Sequence, residues 1–521
     1  MTRSSPVPKH TLDVTLNTAT KILCVSGASN FDCDASYELY TRGSLIARFG
    51  SLRSEWGLEK VFIDSDVSEE NKWKAAIKLE SLYESVLSNG IQLLQKTTDR
   101  TLEYNLEVRY IAPLMFSVEH LPQINHSERA TEHGLSFECK GSFTVNFQKD
   151  QTVRRQPHGG FIYPDKTVKH KTSESWFENN MNVPSLYITH LADAYSFGQS
   201  GILTADGVIC RDAFRGYPDG PTLPNKIQGD EASNIQHNSK ENYYLHLNTA
   251  TAHEINSATY MIGLRPKEHF GHWITEYFTR LWGFRHLDRK DLKIVVPRSS
   301  QKFAFSLLEA MDLSEKIIIT DDKAIYKHQE IYVPSPIYMH NQFASKELCD
   351  FRDWALERLS RSKEYNEALK IAEENKIERI YVFRKDVSGK RNLLEESALA
   401  EKLRDLGYYI LVPGEVSPAT QAAIFSNARE IVGAVGSGML NVIFSRRAPL
   451  VIGLLHHLLP DRVLSDLAGA MEFPVRYIVG RSLAPIEEQN RESWNSSWSL
   501  DVHKTTEDIS HLSREHHSYT K

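Results

Sequence analysis

Beyond residue 258 the chain alternates short apolar runs with stretches whose apolar residues recur every three to four positions. TYMIGL, KIVVP and KIIIT read as strands, and HWITEYFTRLWGF and FAFSLLEAM, set between them, read as helices. After the proline-containing VPSPIYMH, the helical run FASKELCDFRDWALERLSR reads as a bridge into a second series. That series is RIYVF, a helix over about Leu394 to Leu406, YYILVP, the helix PATQAAIFSNA, EIVGAV, a glycine turn with a helix, and PLVIGL. Strand and helix in alternation predict parallel sheets with crossover helices, here two α/β halves with a cleft at the carboxyl ends of their strands.

Before residue 170 the pattern is less regular. KILCVSG, EKVFIDSD, EVRYIAPLMFSV and FTVNF read as strands, and KWKAAIKLESLYESVLSNGIQLLQK has helical spacing, which predicts a mixed α/β unit. Residues 150–180 are polar, basic and broken by proline and Gly-Gly, which predicts a boundary or exposed linker. AYSFGQSGILTADGVICRDAF alternates around Gly201 and Asp206-Gly207 and predicts a β-hairpin. The domains expected are therefore 1–170 as an N-terminal α/β module, 171–345 and 346–480 as Rossmann-like units, and 481–521 as a polar C-terminal tail.

Composition narrows the function classes. With 61 basic and 67 acidic residues the formal charge is −6, so there is no chain-wide attraction for nucleic acid or for an anionic membrane. The five cysteines are widely spaced and form no CxxC pair, as expected of free thiols in a reducing compartment. The N-terminus has no apolar h-region, and the most apolar stretch, APLVIGLLHHLLP, is too short to span a bilayer. The expectation is a cytoplasmic chain without a membrane span, compatible with peripheral association.

Three stretches can carry chemistry. In EIVGAVGSGMLNVIFS an apolar strand enters Gly433, Gly436, Ser437 and Gly438, and a helix leaves through Asn441. Backbone N–H groups at such a turn can cradle phosphate. In RIYVFRKDVSGKRNLLEE, Arg384 and Arg391 flank a Ser-Gly turn just after a strand, where guanidinium groups can neutralise a diphosphate. In GLRPKEHFGHWITEYFTRLW, His272 and Glu276 stand at i and i+4, where a carboxylate can orient an imidazole for general base catalysis. Taken singly, the three also fit a tight turn that binds nothing, a solvated basic loop and a surface ion pair.

In their order, these stretches resemble glycosyltransferase family 61. His272, Trp273, Glu276, Arg280 and Leu281 match its first motif; Arg384, Arg391 and Glu395 match the second; Gly433, Gly436, Gly438, Asn441 and Phe444 match the third. Gln421, Phe425, Ser426 and Ala428 resemble an intervening helix of the family, and the likeness runs from about 190 to 475. Four departures stand out: Val435 where the family has His, Leu394 where it has Asn, Gly453 where it has Glu, and Phe270-Gly271 where it has an aromatic pair. The resemblance implies a GT-B-like pair of Rossmann-like domains facing a cleft, and inverting transfer of a sugar from a nucleotide-sugar donor to a hydroxyl of a glycan acceptor. It also implies a role in capsule or exopolysaccharide synthesis, with no further cofactor and no obligatory metal. Within it, His272 and Glu276 would be catalytic, and Arg384, Arg391, Gly436, Ser437, Gly438 and Asn441 would hold the donor.

Two rival readings remain open at this level. One is a non-catalytic carbohydrate-binding or assembly protein on a decayed transferase scaffold, suggested by the departures at Val435 and Gly453. The other is a metal-dependent GT-A-type enzyme using Asp64 and Asp66 of KVFIDSD, with Asp32 and Asp34 forming a second D-x-D.

Overall fold

A computed structural model describes side chains over 145–518, apart from 156–159, 198–201, 203–251, 264–269, 288, 299, 322–323, 386–389 and 486–487. It also describes the backbone of individual strands between residues 12 and 246.

The second half is built on a parallel sheet. Its spatial order is Phe161–Ile162, Val475–Ser482, Leu450–His456, Glu430–Ala434, Arg379–Val382, Tyr409–Leu411, with Trp498–Ser499 antiparallel to Val475–Ser482. The strands are buried on both faces, which is why they read as continuous apolar runs. Chain order reverses direction between Arg379–Val382 and Glu430–Ala434, which marks where a crevice is expected at their carboxyl ends.

The first half has a mixed sheet ordered Gln123–Asn125, Phe143–Gln148, Leu186–Phe197, Ile325–Pro334, His253–Met261, Lys293–Pro297, Ile317–Thr320. The last four are mutually parallel, and their order reverses between His253–Met261 and Ile325–Pro334. Here too the reversal marks where a crevice is expected. Leu186–Phe197 pairs with Gly201–Leu203 as the hairpin expected around Gly201, while Asp206 and Gly207 lie outside the described residues. Mixed α/β architecture is thus present in both halves.

Three expectations need correction. The helix expected over 72–96 is replaced by the strands Lys72–Lys78 and Ile91–Lys96, and the described elements from residue 12 to 113 are all strands. KWKAAIK satisfies a two-residue period as well as a helical one, and pairing with Ile22–Ala28 resolves the ambiguity toward the sheet. A break near 170 does not hold either. Phe143–Gln148 belongs to the first sheet and Phe161–Ile162 to the second, and Phe177 is wholly buried, so 160–183 is integral to the fold. Lastly, 481–521 is no tail, because Trp498, Ile509 and Leu512 are buried against the second sheet and Val502–Tyr519 is a helix packed there. Its polar residues conceal an amphipathic face.

Candidate functional site

In the first half, Phe270–His272 begins a helical run that widens to a π turn over Trp273–Tyr277 and tightens to 3-10 over Phe278–Trp282. Every residue from Trp273 to Trp282 is buried, Thr275, Glu276, Thr279 and Arg280 included, so the run lies inside the fold rather than on its surface. Tyr260 donates from its hydroxyl to the carbonyl of Arg280 (2.6 Å), and Trp282 donates from Nε1 to the carbonyl of Ser335 (2.8 Å). The run is thereby pinned to both strands that flank the reversal point. π turns concentrate at functional sites, and this one carries Glu276, a buried carboxylate 3.4 Å from His272 Nδ1. The chain leaving Ile325–Pro334 adds His340, whose backbone N–H donates to Glu276 Oε1 (3.3 Å) and whose ring meets that of His272 edge to face at 5.1 Å.

In the second half the glycine turn follows Glu430–Ala434. Gly436 leads into the 3-10 run Ser437–Phe444, whose first N–H groups have no preceding helical carbonyl to bond. Arg384 follows Arg379–Val382 across the reversal point, and a Cβ on Gly436 would stand 3.2 Å from its Nη1. Glycine is what lets the guanidinium lie against the turn. Glu396 accepts the Arg384 backbone N–H (3.0 Å), and Arg384 Nη2 donates to the carbonyl of Lys390 (3.4 Å). Arg391 has a left-handed backbone (φ 54°) held by the C-terminal segment: its N–H donates to the Asn495 carbonyl (2.9 Å), and its carbonyl accepts from Trp498 Nε1 (3.0 Å). Its Nη1 lies 4.0 Å from Asp461 Oδ2. Nearby His456 is largely buried and its pKa is pushed down to about 4 by desolvation, so it adds no positive charge at neutral pH.

The two crevices adjoin. A Cβ on Gly271 would fall 2.9 Å from Ser437 Oγ and 3.1 Å from Ser437 Cα, so the start of the His272 run touches the start of the glycine turn directly. A chain of contacts thus runs from the His272–Glu276 pair through Gly271 and Ser437 to Gly436 and Arg384, and Arg384 reaches the carbonyl of Lys390 next to Arg391. Asn441 is placed differently. It is fully buried, and Nδ2 donates to Gln421 Oε1 (2.8 Å) and to the carbonyl of Gly438 (3.1 Å), so it holds the turn from beneath.

Two departures have packing explanations. Val435 is part of the core, and a side chain at Gly453 would run into Leu464 and the Tyr477 ring at 2.9–3.1 Å. Asp64, Asp66, Asp32 and Asp34 lie outside the described residues. Among the described residues there is no cluster of three acidic, His or Cys side chains able to hold a metal ion, and no helix is long and apolar enough to cross a membrane. Sequence reading missed His340, Glu396 and Asp461. Their signal was position alone: each stands at or just beyond the carboxyl end of a strand, or on the helix that follows one.

Among solved structures, one described as Dpr11 IG1 bound to DIP-gamma IG+IG2 is similar over 36% of this chain and 90% of its own, at 13% identity and a TM-score of 0.14. A superposition that poor says nothing about fold. No curated protein matches the chain. The family model for Glycosyltransferase 61 matches residues 270–452, a span that begins at the His272 run and takes in both arginines and the whole glycine turn. The matched span includes both sides of the Gly271–Ser437 contact, so residues 270–452 are similar to glycosyltransferase family 61, a family of sugar-transferring enzymes.

Proposed function

We propose that the chain is an inverting glycosyltransferase with a GT-B-like pair of domains, moving a sugar from a nucleotide-sugar to a hydroxyl of a glycan, as in capsule or exopolysaccharide synthesis. The single observation that supports this reading is the contact of Gly271 with Ser437, which brings the stretch bearing His272 and Glu276 next to the glycine turn on which Arg384 lies.

In the reaction the acceptor oxygen attacks the anomeric carbon from the His272 side while the bond from that carbon to the diphosphate oxygen breaks. The acceptor proton passes to His272, with Glu276 orienting the ring and offsetting the charge it gains. Electrons of the broken bond leave on the nucleoside diphosphate. Arg384, Arg391 and the first N–H groups of the Ser437–Phe444 run stabilise that charge without a proton having to move. Back-side attack inverts the anomeric configuration.

The test is release of nucleoside diphosphate from a panel of nucleotide-sugars, with and without EDTA. Glu276→Gln preserves size but removes the charge, and is expected to lower turnover on the order of a hundredfold or more while diphosphate binding stays intact. Wild-type activity is expected to survive EDTA. Loss with EDTA would favour Asp64 and Asp66 with a metal. Diphosphate binding without any turnover would favour the carbohydrate-binding reading.

A further inference from the structure

We propose that His340 is a third member of the acceptor-side group, orienting the hydroxyl that His272 deprotonates, and that Arg462 from the second half is the positioning residue that holds it there. The proposal rests on the acceptor-side reading of His272 and Glu276.

His340 sits at the tip of a small hairpin, Tyr338–Met339 paired with Phe343–Ala344, immediately after the strand that borders the first crevice. Asn341 beside it has a left-handed backbone (φ 58°), so the tip is a tight turn with its carbonyls turned outward from the hairpin pairing. Two buried arginines take those carbonyls. Arg462 Nη2 donates to the Asn341 carbonyl at 2.6 Å, and Arg155 Nη2 donates to that of Gln342 at 3.3 Å. The Arg462 backbone N–H adds a third bond, to Asn341 Oδ1 at 3.1 Å.

The arginines are themselves fixed. Asp466, wholly buried, accepts from Arg155 Nε at 2.6 Å and lies 3.6 Å from Arg462 Nε. Arg462 also stacks on Trp176 at 4.2 Å and donates from Nη1 to the Trp176 carbonyl at 3.0 Å. Buried ion clusters are weak contributors to stability but strong determinants of position. This one determines where the three-residue turn His340, Asn341, Gln342 sits, and that turn carries the imidazole facing His272.

The consequence at the site follows from Glu276. Its Oε1 is shared by His272 Nδ1 and by the His340 backbone N–H, so the carboxylate registers the two imidazoles against each other. With ring centres 5.1 Å apart and planes at 70°, one imidazole can accept a hydroxyl proton while the other hydrogen-bonds the same oxygen.

The test uses the full chain with 13C-labelled histidine, reading the imidazole C–H signals of His272 and His340 at fixed pH. His340→Asn is expected to move the His272 signal, and Arg462→Met to move both signals. Arg462→Lys, which keeps one donor for the Asn341 carbonyl, is expected to restore most of the wild-type spectrum. In the nucleotide-release assay, His340→Asn and Arg462→Met should each lower kcat at least tenfold while the donor KM changes less than twofold. A still His272 signal in His340→Asn overturns the pairing, and still signals in Arg462→Met overturn the clamp. Arg462→Lys as disruptive as Arg462→Met, or unchanged turnover in either variant, also overturns the proposal. If Arg462→Met is insoluble, Arg462→Gln takes its place with the same expectations. Pyrophosphate binding by calorimetry reports on the diphosphate cradle separately, so its absence would count against the donor site while leaving the histidine result to stand by itself.

Discussion

A single missing Cβ sets how closely the two halves meet. A Cβ on Gly271 would stand 2.9 Å from Leu440 Cδ1 and Ser437 Oγ and 3.1 Å from Ser437 Cα, so any side chain has to shift those two side chains and press on the glycine turn. Gly271→Ala is therefore expected to push the two walls apart. Overpacking of this kind costs about 1–3 kcal/mol. It should lower the urea midpoint modestly but turnover by far more, since reacting groups lose alignment over less than 1 Å. Equal small losses in both would show that the contact is only packing. The departure from the family's aromatic pair at 270–271 was visible in the sequence, but its meaning was not, because nothing along the chain shows that residue 271 faces residue 437.

At the scale of elements, the central strands after 258 were legible since they are buried on both faces and read as unbroken apolar runs, while the edge strands Ile317–Thr320 and Tyr409–Leu411 read the same way with part of their apolar surface exposed. Lys293–Pro297, Arg379–Val382 and Leu450–His456 appear where KIVVP, RIYVF and PLVIGL placed them. Two elements were misread for opposite reasons. KWKAAIK meets two periods at once, and the C-terminal helix hides Ile509 and Leu512 among His, Ser and Glu. His272 and Glu276 were legible as a pair by spacing, whereas His340 needed the hairpin turn to reach them. The last helix also caps Glu430, a wholly buried carboxylate that accepts from Tyr408 (2.6 Å) and Ser513 (2.8 Å) and pairs with His517 (2.8 Å). Ser513→Ala is expected to cost about 1–3 kcal/mol in chemical denaturation, because it removes a donor from a desolvated charge. Trp498→Phe keeps most of the packing but removes the donor to the Arg391 carbonyl. It should weaken pyrophosphate binding severalfold with little change in unfolding midpoint, and unchanged affinity would separate the C-terminal segment from the donor site.

For the molecule as a whole, buried titrating groups set the response to acid. His328 is held neutral between Ser196 Oγ (2.7 Å from Nε2) and Thr259 Oγ1 (2.9 Å from Nδ1), and desolvation brings its pKa down to about 4 from 6.5. His456 is lowered to about the same value, chiefly by desolvation. Between pH 6.5 and 4 the unfolded chain binds these protons and the folded chain does not, so their contribution is complete above 6.5 and is lost as pH falls. Each is worth roughly 3 kcal/mol. Asp466 works the other way: desolvation raises its pKa from 3.8 to about 6, so stability from this group falls as pH rises through that interval. Glu347 acts like Asp466, its pKa raised from 4.5 to about 7 chiefly by desolvation, so two carboxylates oppose two histidines over this range. The thermal midpoint should change little from pH 7 to 5, and His328→Asn should make it rise on acidification; an unchanged profile in His328→Asn would remove this histidine from the balance.

The chain passes from one sheet to the other three times: between Gln148 and Phe161, between Ile162 and Leu186, and between Pro334 and Arg379. A body joined to another by one strap can swing, and by two it can fold about the line through them. Three attachments restrict such movement further. With Asp466 and its arginines lying beside these crossings, the protein is built less like a pair of jaws than like a bracket welded at three points. On the proposed function, a donor is expected to meet a slot held from three sides, and selectivity among donors to rest on fit more than on closure.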